Sequence, residues 1–582
     1  MSRQRLVRRR LAVGLSVAVL VFGILGIRLF QIQGVDAQAY AAMAVEAGTA
    51  HSVVPAPRGK ILDRNGEALA TSVDGTTITA DPSMTAANAP KIAKILVDEL
   101  GDERLDYFET IDKLRTPDSR YLILKKEVPA EDAQRAVRAV RDADLTGIFT
   151  ELVSLRSYPG GKLAANLVGY TDGEEKGVQG LESQYDKLLT GTDGSATHEV
   201  SPSGQRIPMA DSTVKEMVPG SDVKTTIDRD LQWYSDQRLA DAVRTSGSDW
   251  GLAVTMDVRT GQVVQLSQAP TFDPDAKSSM TDDRTVSRFV QTVYEPGSVM
   301  KPVTMAALAD LGKITPDTPI SVPGQMIIDK FRIGDHWEHG RINLTASGVI
   351  AQSSNLGTIV AAQQMDDETM HDYFTKFGFG TPSGVELPGE SRGLLPEASS
   401  WSRANHATIS FGQGVSVTAM QMVRAIGAIA NGGVMVDPTV VDGFVGPDGS
   451  ETNAKETGTR RVVSKEAASM VTRMMEAVTA DDGTAPAAQI PGYRVAGKTG
   501  TAWRVNPETG RYVRGQNTVS FIGFAPADKP RFVTYVVLDK PHRNAGGGST
   551  AAPVFHDIMS MALERFGVTP TGSKSPKVEQ KW

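Results

Sequence analysis

The first 33 residues carry the feature that most restricts how this chain can fold, because a long apolar run follows a cluster of arginines. The run extends from Leu11 to Ile27, and as a helix at about 1.5 Å per residue it would span roughly 25 Å, close to the apolar thickness of a bilayer. Arg28 need not end the span, since its guanidinium can reach the interface along its own stem. We therefore predict a membrane anchor at residues 11–33. The cluster before it comprises Arg3, Arg5, Arg8, Arg9 and Arg10.

The arginine cluster also predicts the orientation of the anchor. Positive charge stays on the cytoplasmic side of a membrane, so the tail 1–10 is expected in the cytoplasm and the rest of the chain outside it. A cleaved signal peptide is the rival interpretation, because Ala37 and Ala39 are small residues of the kind that cleavage requires. The apolar region of a signal peptide is usually only about 7 to 15 residues long, and this favours an uncleaved anchor.

The bulk composition excludes several classes of protein. The chain has 582 residues, of which 40% are hydrophobic and 22% are charged, so it can fill the cores of two or more domains. A net charge of -7 gives no support for a nucleic-acid-binding protein, which would need a basic face. The absence of cysteine excludes disulfides, thiolate metal sites and cysteine nucleophiles.

Beyond the anchor, the sequence predicts two folded regions and a tail. The first region spans residues 34–220 and the second spans residues 221–568. The last segment, 569–582, is polar and contains proline, so it is expected to be disordered.

Two local patterns describe the first region. An Asn-Gly pair within residues 58–66 follows an apolar step and predicts a β-hairpin turn. Residues 87–145 alternate polar and apolar positions at helical spacing, and we interpret the apolar stripe as core contacts. The stripe consists of Ile92, Ile95, Leu96 and Leu100.

The second region contains five short apolar runs that predict strands. The first two are joined by a turn at 259–262 and predict a β-hairpin. A mainly helical stretch separates them from the other three, and an amphipathic helix is predicted at 553–566. The arrangement is α+β: an antiparallel sheet completed by late strands, with a helical insertion. The five runs are 252–258, 263–266, 493–501, 519–524 and 531–538.

Three short motifs in this region stand in a fixed order. They are Ser298-Val-Met-Lys301, Ser353-Ser-Asn355 and Lys498-Thr-Gly500. The pattern Ser-x-x-Lys also occurs at Ser212 with Lys215 and at Ser221 with Lys224, so the pattern alone decides nothing. A serine after Pro-Gly can also be an ordinary helix cap. The ordered combination is far more specific, because it is the set found in enzymes that use a serine nucleophile.

Each motif has a chemical use in acyl transfer. On a helix, residues three apart share a face, so the Lys301 amine can reach the Ser298 hydroxyl, and the helix start favours a developing negative charge. Lys301 must be neutral to accept a proton, and burial together with the neighbouring Lys498 would lower its pKa. Ser353 and Asn355 can hydrogen-bond Lys301 and a substrate amide.

The third motif is predicted to bind substrate from a strand. Lys498 and Thr499 offer a charge and a hydroxyl to a carboxylate, and Gly500 has no side chain to block an approaching peptide. The backbone N–H groups of Ser298 and Thr501 would form an oxyanion hole.

With these motifs, the chain resembles the class B penicillin-binding proteins, most closely the septal cell-division transpeptidases. The resemblance covers nearly everything from the anchor to about residue 567, and among the stretches that carry it are "RGKILDRNG", "GVQGLESQY", "YEPGSVMKP", "AQSSNLG" and "VAGKTGTA". It implies an inner-membrane anchor, an extracytoplasmic pedestal domain and a transpeptidase domain. The transpeptidase domain would be a five-stranded antiparallel sheet flanked by helices, with an all-helical subdomain, as in serine β-lactamases.

The resemblance also implies a reaction and partners. Ser298 would attack a stem peptide of peptidoglycan at its penultimate D-alanine, with Lys301 as base, Ser353 as proton relay, and Asn355, Lys498, Thr499 and Thr501 holding substrate. β-Lactams would acylate Ser298, and no cofactor is expected. The implied partners are donor and acceptor stem peptides, the membrane, a glycosyltransferase of the shape and division family, and other divisome proteins.

The matched pedestal motifs are expected to link the domains and to take no part in chemistry. Their residues are Arg58, Gly59, Arg156, Gly160, Gly177 and Glu182.

Other interpretations remain open at this point. An elongation-type class B enzyme has similar motifs, and a non-catalytic scaffold or β-lactam sensor would carry the serine without turnover. A β-lactamase would add a base that activates water, for which Glu386 and Glu390 are candidates. His336, Glu338 and His339 match no zinc spacing, so a solvated loop is favoured over a metal site there.

Overall fold

The computed structural model describes residues 3–36, 38, 48–199, 212–505, 512–542 and 545–582. Ala37 and Ala39, the small residues of the signal-peptide interpretation, lie outside the described residues. The chain divides into two compact units. The smaller unit comprises Met1–Ala56, Gly75–Val153 and Gly191–Val218, and the larger unit comprises Pro57–Asp74, Ser154–Thr190 and Pro219–Trp582.

A long N-terminal helix contains the predicted anchor. The α-helix Arg3–Phe30 continues into a π-turn, Gln31–Val35, and the segment Arg5–Val35 has a mean hydropathy of 2.3. It is the one helix of the described residues that is long and apolar enough to cross a membrane. The helix begins eight residues before the predicted apolar run, within the arginine cluster.

The rest of the smaller unit combines helices with two sheets. Of the predicted stripe, Ile92, Leu96 and Leu100 are buried and Ile95 packs against the same core, which confirms that interpretation. A strand interrupts the predicted helical segment. The helices are Pro82–Thr85, Ala89–Leu100, Tyr107–Leu114 and Ala130–Asp142, and the strands are the second half of Ala68–Ala80, Leu122–Pro129, the first part of Ile148–Ser157, Thr49–Val54, Gly194–Glu199 and Ser212–Lys215.

A five-stranded antiparallel sheet forms the centre of the larger unit, as the sequence predicts. The strands are β1 (Trp250–Asp257), β2 (Val263–Ala269), β3 (Ala496–Val505), β4 (Tyr512–Ala525) and β5 (Phe532–Asp539). Their spatial order is β2-β1-β5-β4-β3, so β3 lies at an edge. Helices pack against the sheet, which explains why β1, β2 and β5 are buried along their length and read as continuous apolar runs.

The helical insertion between β2 and β3 supplies the remaining parts of the predicted site. A 3-10 turn, Gly297–Met300, leads into helix α1 (Lys301–Asp310). Two short helices follow, α2 (Ala346–Ala351) and α3 (Asn355–Ala362), joined by a loop of residues 352–354 with a turn at 352–353. The nine buried residues of α1, from Lys301 to Ala309, place this helix in the middle of the core.

The other elements of the larger unit complete its two layers around the sheet. The helices are Ala165–Val168, Gly180–Gln184, Asp186–Leu189, Arg229–Ser246, Asp282–Thr285, Asp367–Lys376, Arg403–Ser410, Ala419–Ala430, Lys465–Thr479 and Ala552–Arg565. The short strands are Ile61–Leu62, the first half of Ala68–Ala80, Tyr170–Thr171, Gly177–Gln179, Asp222–Thr225, Pro319–Val322, Met326–Ile328, Phe331–Ile333, Ile342–Thr345, Val434–Val436, Val441–Val445, Glu451–Asn453 and Thr459–Arg461.

The pedestal motif residues form a buried ion-pair cluster inside the larger unit. Glu182 has no exposed side-chain surface, and its two oxygens lie 2.7 Å from Arg58 Nε and 2.6 Å from Arg156 Nε. Arg156 also donates to the carbonyl of Gly59 at 2.8 Å. Because an unpaired buried charge is costly, these contacts hold segments 57–74 and 154–190 together. The unit that contains the five-stranded sheet therefore also includes these two earlier segments.

The hairpin prediction near residue 66 is confirmed. Ile61–Leu62 pairs antiparallel with the start of Ala68–Ala80, and Gly66 in the turn has φ +92°, in the region that favours glycine.

The segment after residue 568 differs from the disorder that its composition predicts. The backbone N–H of Thr345 donates to Gln580 O at 3.1 Å, and the Gln352 side chain donates to the Gln580 side chain at 2.6 Å. A bridge between Leu344 and Lys581 extends the contact along Ile342–Thr345. The composition could not reveal this, because the partner is an open strand edge more than 200 residues away.

Gly348 in α2 gives a test of this docking. A Cβ at this position would lie 1.9 Å from Gln580 O, so we expect Gly348→Ala to destabilise the full chain by about 1–3 kcal/mol, seen as a lower Tm. In a chain ending at Ser575 the same substitution should be neutral or stabilising, since alanine is the better helix former. An equal loss of Tm in both chains would contradict the docking.

Candidate active site

One cleft of about 690 Å³ in the larger unit collects residues of all three predicted motifs. Its walls come from the Gly297–Met300 turn, the loop between α2 and α3, and the edge strand β3. The predicted residues that line it are Ser298, Ser353, Asn355, Thr499 and Thr501. Lys301 and Lys498 lie fully buried and bond to Ser353, so the structure brings these seven residues together.

Ser298 lies in the 3-10 turn, three residues before the α-helix begins. The sequence predicts a helix start here, but the residues at the N-cap positions of the turn and of α1 are Pro296 and Met300, without a side-chain cap. Gly297 has φ +58° and donates its N–H to the Gly412 carbonyl at 2.9 Å. The Pro-Gly pair therefore forms a left-handed turn, after which the partly exposed Ser298 lines the cleft. The interpretation of Ser298 as a helix cap has no support.

Lys301 is buried with its amine against the loop that follows α2. Its Nζ donates to Ser353 O at 2.5 Å and to Asn355 Oδ1 at 2.8 Å, and it lies 3.4 Å from Ser353 Oγ. Burial lowers the pKa of Lys301 to about 7, against the opposing charge of Asp335. A neutral amine has two N–H groups, which the two strong acceptors take up, and its lone pair is left to accept a proton.

Lys498 reaches the same serine from the sheet. Its Nζ donates to Ser353 Oγ at 2.9 Å and to Thr499 O and Oγ1 at 3.1 Å. Burial and, second, the charge of Lys301 hold the pKa of Lys498 well below its usual value. The Ser353 hydroxyl thus lies between two amines, accepting from Lys498 and facing Lys301. This geometry suits a proton relay.

The loop that carries Ser353 is held in an unusual conformation. Ser353 has φ +59°, in the left-handed region that non-glycine residues seldom adopt. The next residue, Ser354, accepts a hydrogen bond from Gly357 N at 2.8 Å and so caps α3. Backbone strain of this kind persists only where the surroundings enforce it, and it concentrates at functional sites.

The role of Gly500 differs from the one expected. A Cβ there would lie 2.2 Å from Ser520 Oγ and 3.0 Å from Val299 Cγ1. Glycine is therefore required for the packing of β3 against β4 and against the turn that holds Ser298. The strand β3 that carries Gly500 lies at the sheet edge.

The sequence interpretation missed Asp335. The loop around it is exposed at 334, 336, 338 and 340, in agreement with the predicted solvated loop, but the His339 side chain is buried, with Nε2 3.0 Å from the Asp335 carboxylate. His336 lines the cleft, and burial, followed by the charge of Lys301, lowers its pKa. The described residues contain no cluster suited to a metal ion. No spacing in the sequence relates Asp335 to the motif at 353–355, so no signal was present.

The other two Ser-x-x-Lys patterns lie in or beside strands and not on a helix. Ser212 and Lys215 are the ends of a strand, and Ser221 and Lys224 lie in and beside the strand Asp222–Thr225. Residues three apart in a strand point to opposite faces, so neither lysine can assist its serine.

Comparisons with known proteins agree with this geometry. Family models described as the penicillin-binding protein transpeptidase domain and dimerisation domain match residues 251–560 and 53–225. Penicillin-binding protein PbpB of Mycolicibacterium smegmatis is 37% identical, covering 96% of this chain and 90% of that protein. Peptidoglycan D,D-transpeptidase FtsI of Escherichia coli is 31% identical, covering 90% and 86%. A crystal structure of penicillin-binding protein 3 from Mycobacterium tuberculosis with aztreonam has a TM-score of 0.71 at 33% identity, covering 91% and 100%.

The protonation state of Lys301 predicts how the acylation rate of Ser298 depends on pH. The amine is a base only when neutral, so acylation of Ser298 should rise with pH, with a midpoint near the Lys301 pKa of about 7, and level off above it. The measurement is the second-order rate of labelling by a fluorescent penicillin across that range. A midpoint near the ordinary lysine pKa of about 10.4 would contradict a neutral Lys301.

Proposed function

Because the chain belongs to the class B penicillin-binding proteins and is a serine-type D,D-transpeptidase of peptidoglycan, we propose that Ser298 is its nucleophile and Lys301 its base. The observation that carries the proposal is the Ser353 hydroxyl held between Lys498 Nζ at 2.9 Å and Lys301 Nζ at 3.4 Å, beside a cleft that contains Ser298. The arrangement brings a base and a relay into contact with each other, beside the cleft that the nucleophile lines.

The first half-reaction forms an acyl-enzyme. Lys301 Nζ accepts the Ser298 proton as Oγ attacks the carbonyl carbon of the penultimate D-alanine. The backbone N–H groups of Ser298 and Thr501 stabilise the oxyanion. Ser353 then passes its proton to the amide nitrogen as the C–N bond breaks and takes the proton held by Lys301 in return, so the terminal D-alanine leaves with an amino group and Lys301 is neutral again.

The second half-reaction consumes the ester. The amine of a second stem peptide attacks the acyl carbon, forms the cross-link amide and returns Ser298 to its hydroxyl form. Lys301 takes the amine proton and gives a proton back to Ser298 Oγ, so the site is regenerated without a cofactor.

Substrate binding is assigned to the edge strand β3. An extended peptide can add to an open sheet edge through main-chain hydrogen bonds. Thr499 and Thr501 line the cleft, and Asn355 faces it from the opposite loop. These residues would hold the donor peptide. The Lys498 amine would hold the Ser353 hydroxyl in place through its hydrogen bond.

The β-lactamase alternative lacks a base for water. Glu386 accepts from Thr439 Oγ1 at 2.9 Å and Val440 N at 3.0 Å, and Glu390 accepts from Ser383 N at 2.6 Å. Neither lines the cleft, where Asp335 is the acidic residue among the described lining residues. Slow hydrolysis of a penicilloyl ester is therefore expected.

The septal role, the partners and the orientation are parts of the same proposal. Relatives named as the D,D-transpeptidase FtsI and as PbpB support a division enzyme, whose partners would be a glycosyltransferase and other divisome proteins. The arginine cluster supports a cytoplasmic tail 1–10, an anchor at 11–33, a pedestal at 34–220 and a transpeptidase region at 221–568 outside the membrane. Cytoplasmic activity of a periplasm-only reporter fused after residue 40 would refute the orientation.

The nucleophile can be tested by intact mass. The full chain in detergent should gain the mass of one penicillin, Ser298→Ala should gain none, and Ser221→Ala, a serine with the same pattern, should behave like wild type. The adduct should persist for hours, because neither Glu386 nor Glu390, the candidate bases for water, lines the cleft. An equal adduct on Ser298→Ala would refute the nucleophile, and rapid loss of the adduct would favour a β-lactamase.

A further inference from the structure

We propose that Asp335 is a positioning residue that fixes the Ser353–Asn355 loop and supplies the negative charge that acts on Lys301. The inference rests on the proposed function, since it concerns the same site. It assigns a task to a residue outside the three motifs.

The Asp335 carboxylate holds the end of the loop that leads into α3. Its side chain has no exposed surface and accepts four hydrogen bonds: Oδ1 from Asn355 N at 2.5 Å and Leu356 N at 3.0 Å, and Oδ2 from Ser354 Oγ at 2.7 Å and His339 Nε2 at 3.0 Å. Three of these donors belong to consecutive residues, 354–356. The loop therefore cannot move without breaking several charge-assisted hydrogen bonds.

The same contact sets the direction of the Asn355 side chain. Asn355 donates Nδ2 to Gly334 O at 3.2 Å, next to Asp335, and its Oδ1 accepts from Lys301 Nζ at 2.8 Å. Both the backbone and the amide of Asn355 are thus held by residues 334–335. The amide can then present only its oxygen to Lys301, which fixes the amine.

Capping of α3 accounts for only part of the contacts of Asp335. Its Oδ1 accepts from the first two N–H groups of the helix, while Ser354 caps Gly357 N. Its Oδ2 accepts from the Ser354 hydroxyl, beside Ser353 with its left-handed backbone, and this contact restrains the loop itself. A restraint of this kind is what a strained functional loop requires.

His339 supports the carboxylate from the other side. Its Nε2 lies 3.0 Å from Asp335 Oδ2, an acceptor that needs a donor, and its Nδ1 lies 2.6 Å from Gly340 O; a neutral ring donates from one nitrogen only. The other charged or titratable groups facing this region are Lys301, Lys498 and His336. Asp335 is thus the negative partner of a mainly basic set, and its charge raises the pKa of Lys301 against burial.

Asp335→Asn tests the inference, because it keeps the shape and removes the charge. We expect the penicillin acylation rate of the full chain to fall roughly 10- to 100-fold, the effect of a lost charge-assisted hydrogen bond. The pH midpoint of acylation should also move below that of wild type, which a purely structural role would not produce. Asp366→Asn is the matched control: Asp366 accepts from Thr369 N at 2.8 Å at the start of Asp367–Lys376, away from the cleft, and should leave rate and midpoint unchanged.

The outcomes separate this inference from the proposed function. If wild type is not acylated on Ser298, the proposed function fails. If wild type is acylated and Asp335→Asn keeps its rate and midpoint, only this inference is overturned. Should Asp335→Asn fail to fold, His339→Gln decides, because it perturbs one of the four donors and leaves the charge: slower acylation at the wild-type midpoint supports the inference, and unchanged acylation overturns it.

Discussion

The whole site depends on the burial of two lysine amines against one serine hydroxyl. Removing an ammonium group from water is costly, and the cost falls when the group becomes neutral. Lys301 and Lys498 are fully buried, and both have lowered pKa values with burial as the first cause. The fold therefore produces a base at neutral pH by packing alone. The fold of the larger unit brings the segments that carry Lys301, Ser353 and Lys498 within hydrogen-bond distance of one another.

Close backbone approach makes that convergence possible. The β3 strand can pack beside the serine turn because Gly297 and Gly500 lack a Cβ, which would otherwise meet Ala502 at 3.0 Å and Ser520 Oγ at 2.2 Å. Gly547 also approaches the sheet closely, since a Cβ there would lie 2.3 Å from the carbonyl oxygen of Ser520 in β4. The glycines of this region are thus explained by contact between elements. They leave β3 at the edge of the sheet, where a peptide can bind beside Ser298.

The sequence predicted the sheet, the helical insertion and the three motifs, because each has a local signal: apolar runs of strand length, an apolar helix after Ser298, and short ordered motifs. The contributions of Asp335 and Gln580 carry no such signal. Asp335 reaches residues 354–356 only through the path of the intervening strand Ile342–Thr345 and helix α2, and Gln580 pairs with an open strand edge that composition does not reveal. The packing of Gly500 also carries no local signal, since its neighbours Ser520 and Val299 are distant in sequence.

A crystal structure of the penicilloyl-enzyme tests the account most directly. The account predicts density continuous from Ser298 Oγ to the opened lactam carbonyl, whose oxygen lies about 2.7–3.1 Å from the backbone nitrogens of Ser298 and Thr501. The Ser353 hydroxyl should still lie between Lys301 and Lys498. An adduct on another residue, or a carbonyl oxygen turned away from both nitrogens, would contradict the proposed nucleophile and oxyanion hole.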